Sequence, residues 1–178
     1  KDGVEKQAFC AGADLKKHSA QERTPQQKRA YIELAHETTR QLAELPVPVI
    51  AAVNGPARGA GAEMAISCDL IFMAKSATIA FPETSLGTFI GGGSTYHLPR
   101  LVGVACAREL VYTGRVVDGQ EAVALGLATR VLPVEDLLDR ALELAVELAS
   151  RAPVSMAHAK RFLNESSLLD LSTAVERE

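Results

Sequence analysis

Apolar residues fall into two kinds of run along this chain. Over 25–45, Tyr31, Leu34, Ala35, Thr38, Leu42 and Leu45 recur at intervals of three and four, while Lys28, Arg29, Glu33 and Arg40 occupy the other surface. That period predicts an amphipathic helix. Pro46 and Pro48 end it, because proline lacks an amide donor and restricts the residue before it. Residues 49–53, Val-Ile-Ala-Ala-Val, are continuously apolar and predict a buried strand. Asn54, Gly55 and Pro56 then turn the chain into a small-residue helix expected over 60–67. Short extended segments are predicted at 8–10, 70–73, 78–81 and 128–132. Helices are predicted at 94–98, 104–112, 118–125 (with Asp118 as N-cap), 137–149 and 154–164. Short strands alternating with helices predict an α/β fold, and no internal repeat is evident.

Composition narrows the function classes. The chain has 178 residues, 47% of them hydrophobic, enough for one domain with a substantial core. Its formal net charge is -3, which argues against nucleic acid as the main partner. No run approaches the roughly 18 apolar residues that span a bilayer, and no secretory leader is recognised at the start. Cys10, Cys68 and Cys106 are isolated, with neither metal-pair nor disulfide spacing, so a reducing compartment is expected. That means the cytoplasm, or the mitochondrial matrix in a eukaryote. Lys1-Asp2-Gly3 leads at once into an apolar segment, and 172–178 reads as a helix cut before its cap. The expected unit is therefore incomplete at both ends.

Three segments carry candidate chemistry. In Phe9-Cys10-Ala11-Gly12-Ala13-Asp14-Leu15, Gly12 permits a close approach and the following helix start leaves amide donors free. Such donors can hold an oxygen that becomes negative during reaction, although a plain structural turn has the same pattern. In residues 54–64, Gly59 and Gly61 introduce a helix with Glu63 about one turn inside it. Glu63 could face a ligand at the helix start, or it could be a solvent-facing residue on a packing helix. Neither a dinucleotide fingerprint nor a phosphate-loop Gly-Lys-Ser/Thr is present. In residues 80–87, Glu83 follows Pro82 among few other polar groups. Glu63 and Glu83, twenty residues apart, could meet across two strands and hold one water for acid/base work.

In this order the three segments resemble the crotonase (enoyl-CoA hydratase/isomerase) superfamily: a first oxyanion loop, a Gly-rich second oxyanion helix with a glutamate, and a Pro-Glu segment. Gly91-Gly92-Gly93-Ser94-Thr95, Leu98-Pro99-Arg100, Thr113-Gly114-Arg115 and residues 122–126 are similar to it as well. The resemblance covers about residues 9–160 and implies an α/β crotonase-type ββα superhelix, incomplete at both ends. Residues 1–178 would then be a single spiral-domain fragment, with about 135–178 leading into a C-terminal helical region.

The resemblance further implies that the backbone N–H groups of Ala13 and Ala60 form an oxyanion hole and that Glu63 and Glu83 are the acid/base pair. Having both glutamates resembles hydratases. The implied reaction is reversible syn hydration of a trans-2-enoyl-CoA to a 3-hydroxyacyl-CoA, without metal or separate cofactor, since CoA is carried by the substrate. A homotrimer or hexamer is implied as the assembly. Three positions depart from the family pattern: Ala60 for glycine, Arg58 for an aliphatic residue and His97 for arginine. Alanine keeps the N–H donor. An enoyl-CoA isomerase and a noncatalytic scaffold of the same fold are the alternatives. A third is a hydratase resembling methylglutaconyl-CoA hydratases around 9–15 and 45–52, with RNA binding through Lys28, Arg29, His36 and Arg40. Glu22, Glu33, Glu37 and Glu44 dilute that basic face. His18, His36 and His158 are read as surface or structural, and Asp14 and Asp69 as turn or supporting acceptors.

Overall fold

The computed structural model describes residues 7–14, 24–166 and 169–177. Leu15, His18 and Glu22 lie outside them. Helix α1 (Pro25–Glu44) starts on a reciprocal cap: the Gln27 N–H donates to Thr24 Oγ1 at 3.3 Å, and the Thr24 N–H donates to Gln27 Oε1 at 2.9 Å. Pro25 fills the first helical position, where its missing donor costs nothing. The helix ends at Leu45, whose ψ of 135° is already extended ahead of Pro46.

From there the chain coils. Strands β1 (Ile50–Val53) and β2 (Ala57–Arg58) with helix α2 (Ala60–Ile66) make one turn. Strands β3 (Leu70–Ala74) and β4 (Thr78–Ala80) with a 3₁₀ turn (Glu83–Leu86) make the next. β1 runs parallel to β3 with Ile50 opposite Leu70, and β2 runs parallel to β4 with Ala57 opposite Ile79. One circuit thus takes about twenty residues, and equivalent positions of successive circuits lie side by side. Helices α3 (Ser94–Val102) and α4 (Val104–Thr113) follow, then β5 (Val117–Asp118), α5 (Gly119–Ala124) and β6 (Arg130–Leu132). The two sheets are ordered β1-β3-β6, all parallel, and β2-β4-β5, with β5 antiparallel. Helices α6 (Val134–Ala149), α7 (Pro153–Ser166) and α8 (Leu171–Arg177) complete the described elements.

Side-chain size explains the close stacking. Ala57, Ala62 and Ala65 are fully buried where α2 meets the coil, while Val53, Phe72, Met73 and Ile79 fill the space between the circuits. Three local features differ from the pattern-based reading. Residues 57–58 form a strand because the Arg58 N–H donates to the Cys10 carbonyl at 3.0 Å, a long-range pairing that local sequence does not encode. Residues 83–86, which the hydrophobic pattern leaves unassigned, wind into a 3₁₀ turn. Helix α3 runs past Pro99 to Val102 and stops at Gly103, where φ is 78°. Asp118 caps α5 as expected, accepting the Glu121 N–H at 2.9 Å.

A buried cation fastens α7 to the coil. Lys160 Nζ donates to the carbonyls of Leu42 and Val47 at 3.1 Å each and pairs with Asp69 Oδ2 at 2.7 Å. Asp69 also accepts the Val49 N–H at 2.7 Å, so it is a supporting acceptor as expected, with a second, ionic role. The Lys160 side chain is 6% exposed. Removing one member of a buried pair strands the other, so Lys160→Ala is expected to cost about 3–5 kcal/mol of stability. Urea unfolding of both proteins would measure it, and a change below about 1 kcal/mol, the value of an exposed pair, would refute the assignment.

Candidate active site

Glu63 is placed by the start of α2. Its backbone N–H donates to the Gly59 carbonyl at 2.9 Å, which closes the first helical turn and aims the side chain inward. Only 9% of the residue is exposed, so the solvent-facing alternative fails. One carboxylate oxygen, Oε1, accepts the Gly91 N–H at 2.7 Å. The other lies against Gly92, where a Cβ would stand 2.9 Å from Glu63 Oε2. The glycine turn before α3 therefore seats this carboxylate.

Glu83 opens the 3₁₀ turn one circuit later and is 7% exposed. Its Oε1 approaches Gly59, where a Cβ would stand 2.9 Å away. Its Oε2 is buried and has no hydrogen-bond partner among the described residues. Burial raises the Glu83 carboxyl above the usual carboxylate range, and the nearby Glu63 charge raises it further against a lowering backbone hydrogen bond. Glu63 therefore lies close enough for its charge to act on Glu83. Their twenty-residue separation is the period of the coil, which is why they occupy neighbouring circuits.

The first loop joins them at the same corner. Cys10 forms a parallel bridge with Ala57, and its N–H donates to the Pro56 carbonyl at 3.3 Å. Gly12 holds φ at +90°, and a Cβ there would stand 2.6 Å from the Arg58 carbonyl oxygen and 3.6 Å from the Ala60 nitrogen. The Ala13 nitrogen is two bonds beyond Gly12 Cα, so covalent geometry keeps the Ala13 and Ala60 amides within about 8 Å. Ala60 is the first residue of α2, and its N–H has no acceptor inside the helix. The corner therefore gathers two backbone amides, one buried carboxylate and one buried carboxyl that retains its proton more readily. Such a set can polarise a carbonyl and move protons beside it.

The residues that depart from the family pattern have structural partners. The Arg58 guanidinium donates to the Ala57 and Thr78 carbonyls and to Thr78 Oγ1, linking β2 to β4, and burial lowers its pKa. His97 stands edge-on to Tyr96 at 5.1 Å, with its pKa lowered by burial and then by Arg100. Burial and Asp69 push the Cys68 thiol up to about 11, which leaves it unreactive at neutral pH. On α1 the arginines are already engaged, Arg29 with Glu33 and Arg40 with Glu37 and Glu44. That face offers paired ions rather than the clustered free cations that phosphate binding needs. His158 packs edge-on to Phe162.

Two clefts, of about 510 and 600 Å³, lie against α1, α3 and α7, and neither is lined by Glu63 or Glu83. The site is defined by its carboxylates and amides, not by cleft size. Gly92 nevertheless lines the first cleft and contacts Glu63. The contacts of Glu83 with Gly59 and of Glu63 with Gly91 were not foreseen from sequence, although Gly59 allows close backbone approach and the run of three glycines at 91–93 reads as a turn. Among the described residues no helix is long and apolar enough to cross a membrane.

Comparison with known proteins agrees with this fold. The model of the family described as enoyl-CoA hydratase/isomerase matches residues 2–178. The mitochondrial methylglutaconyl-CoA hydratase of Homo sapiens is 41% identical over 177 residues, covering 96% of this chain and 51% of its own length. The short-chain-enoyl-CoA hydratase of Clostridium acetobutylicum is 36% identical over 176 residues, covering 99% of this chain and 67% of its own. The crystal structure of an enoyl-CoA hydratase from Bacillus anthracis superposes with a TM-score of 0.91 at 40% identity, over 98% of this chain and 67% of that one. The chain thus spans between about half and two thirds of the length of these relatives.

Proposed function

The chain belongs to the enoyl-CoA hydratase/isomerase family and has its α/β crotonase-type fold, and on that premise we propose that the full-length protein hydrates a trans-2-enoyl-CoA to a 3-hydroxyacyl-CoA. The observation that carries this reading is the pair of buried glutamates, the charge of one acting on the other, beside the Gly12–Ala60 corner. In the proposed reaction the Ala13 and Ala60 N–H groups donate to the thioester oxygen and stabilise the enolate as negative charge develops there. Glu63, held by the Gly91 N–H, takes a proton from water as the oxygen attacks C3. Glu83, whose carboxyl is raised above the usual carboxylate range by burial and, less, by the Glu63 charge, delivers its proton to C2 from the same face, giving syn addition. CoA enters with the substrate. Residues 1–178 act as one spiral domain, and a homotrimer or hexamer is the proposed assembly.

The test is incubation of the full-length protein with crotonyl-CoA. Loss of enoyl absorbance with formation of 3-hydroxybutyryl-CoA is expected. A folded, assembled protein that hydrates no short- or medium-chain enoyl-CoA would refute the proposal. Conversion of a 3-enoyl-CoA to the 2-enoyl isomer without hydration would assign it instead to isomerisation.

A further inference from the structure

The cleft side of the glycine turn carries a group that the mechanism above leaves unused. His36 is exposed on α1 and lines the 510 Å³ cleft. Its Nε2 faces Gly91: a Cβ there would stand 3.6 Å from His36 Nε2 and 3.7 and 3.8 Å from Glu63 Oε1 and Oε2. Imidazole and carboxylate flank one spot, which glycine leaves open. We infer that His36 is the proton-exchange partner of Glu63, positioned to return that carboxylate to its basic form between turnovers; the inference rests on the acid/base reading above.

The proton balance creates the need. After one hydration Glu63 holds the proton taken from water, and Glu83 has given its own to C2. The enzyme must lose one proton at Glu63 and gain one at Glu83 before the next cycle. Glu63 is 9% exposed, and a substrate with its carbonyl at Ala13 and Ala60 would cover the reaction side. The Gly91 side leads instead to an exposed imidazole. In the exchange step the Glu63 O–H bond breaks and an N–H bond forms at His36 Nε2, the proton passing through a bridging water between the two groups. The resulting imidazolium releases its Nδ1 proton to solvent in the cleft, while solvent reprotonates Glu83. Imidazole suits this because it accepts at one nitrogen and donates at the other.

The other charged and titratable groups around His36 are otherwise engaged. Arg40, one turn along α1, is held by Glu37 and Glu44. From α3, the Tyr96 hydroxyl donates to the Asn164 carbonyl at 2.7 Å, and His97 lies against Gly93. The glycine at 91 is not required by backbone strain, since it is absent from the positive-φ positions. Alanine would fit there at ordinary contact distance, and its methyl would occupy the spot between Nε2 and the carboxylate.

The experiment compares first-turnover and steady-state hydration of crotonyl-CoA by the full-length enzyme in weak buffer. His36→Gln is expected to keep the first turnover and lower steady-state kcat about tenfold, less than the roughly 10²–10⁴ of a group acting in the transition state. Added imidazole is expected to restore the steady-state rate of His36→Gln. An unchanged steady-state rate in His36→Gln, or no recovery with imidazole, would overturn the inference. So would first-turnover and steady-state rates that fall together, the mark of a merely structural role. A wild-type enzyme without hydration would overturn the functional reading itself, a result distinct from either.

Discussion

Glu63→Gln and Glu83→Gln are each expected to lower hydration by at least about 10²-fold while leaving the fold intact. Glutamine keeps the shape and can still accept the Gly91 N–H, so the glycine turn remains seated. What disappears is a titratable carboxyl. If the two glutamates share one water, the double variant is expected to be hardly worse than either single one. The pH dependence separates their roles. Glu83 is raised by burial and then by the Glu63 charge, so Glu63→Gln removes the second contribution. The alkaline limb of the residual activity then moves to lower pH, as Glu83 loses its proton earlier. Stability follows the same sign. A carboxyl raised in the folded state contributes stability fully below its unfolded pKa, and that contribution is lost as pH rises through the folded value. Glu83→Gln should therefore flatten the loss of stability on the alkaline side of the ordinary carboxylate range. Near-wild-type hydration by Glu63→Gln, measured beside 3-enoyl isomerisation, would defeat the paired-carboxylate proposal and favour the isomerase.

The sequence made much of this corner legible, for identifiable reasons. Helix α1 was readable because its period, its proline start and its proline stop all agree. β1 and β3 were readable because buried parallel strands are continuous apolar runs. Glu63 was harder to place: its spacing allowed either a solvent-facing or a ligand-facing side chain. Its burial depends on the turn at 91–92, nearly thirty residues on, packing over it. The strand at 57–58 was invisible for the same reason, since two residues carry no period and their pairing is with Cys10 and β4. The meeting of Glu63 and Glu83 lay between these extremes. A separation of twenty residues became informative only when the strand register made it one circuit of the coil.

Arg58 shows how a departure from a family pattern can be absorbed. A guanidinium at an aliphatic position would strain the site if it reached the substrate corner. Here it turns along the sheet and satisfies Thr78, across the β2–β4 pair. The two carbonyls and one hydroxyl it reaches offset the cost of its partial burial. Ala60 is absorbed differently, because the helical backbone of α2 accepts alanine and the N–H is unchanged.

Gly61→Ala is expected to abolish most activity without touching either glutamate. A Cβ at Gly61 would stand 2.2 Å from the Cys10 carbonyl oxygen and 2.7 Å from Cys10 Cβ, distances that no packed atoms sustain. Alanine suits the helical conformation of α2 better than glycine does, so the helix itself should form at least as readily. The first loop has to yield instead. It is held to the coil by the Cys10–Ala57 bridge and by the Arg58 N–H to Cys10 carbonyl bond, and that carbonyl is the atom the methyl would strike. Displacing the loop moves Gly12 and Ala13 away from Ala60, leaving one amide of the proposed pair. Loss of one oxyanion donor lowers kcat by about 10²–10³-fold, the effect expected here. The core of Val53, Phe72, Met73 and Ile79 is formed by strands on the other side of this contact, so cooperative unfolding should persist. Circular dichroism with urea unfolding checks the fold, and crotonyl-CoA hydration checks the site. Full activity in Gly61→Ala would show that the loop can shift without cost and would remove Ala13 from the proposed oxyanion pair.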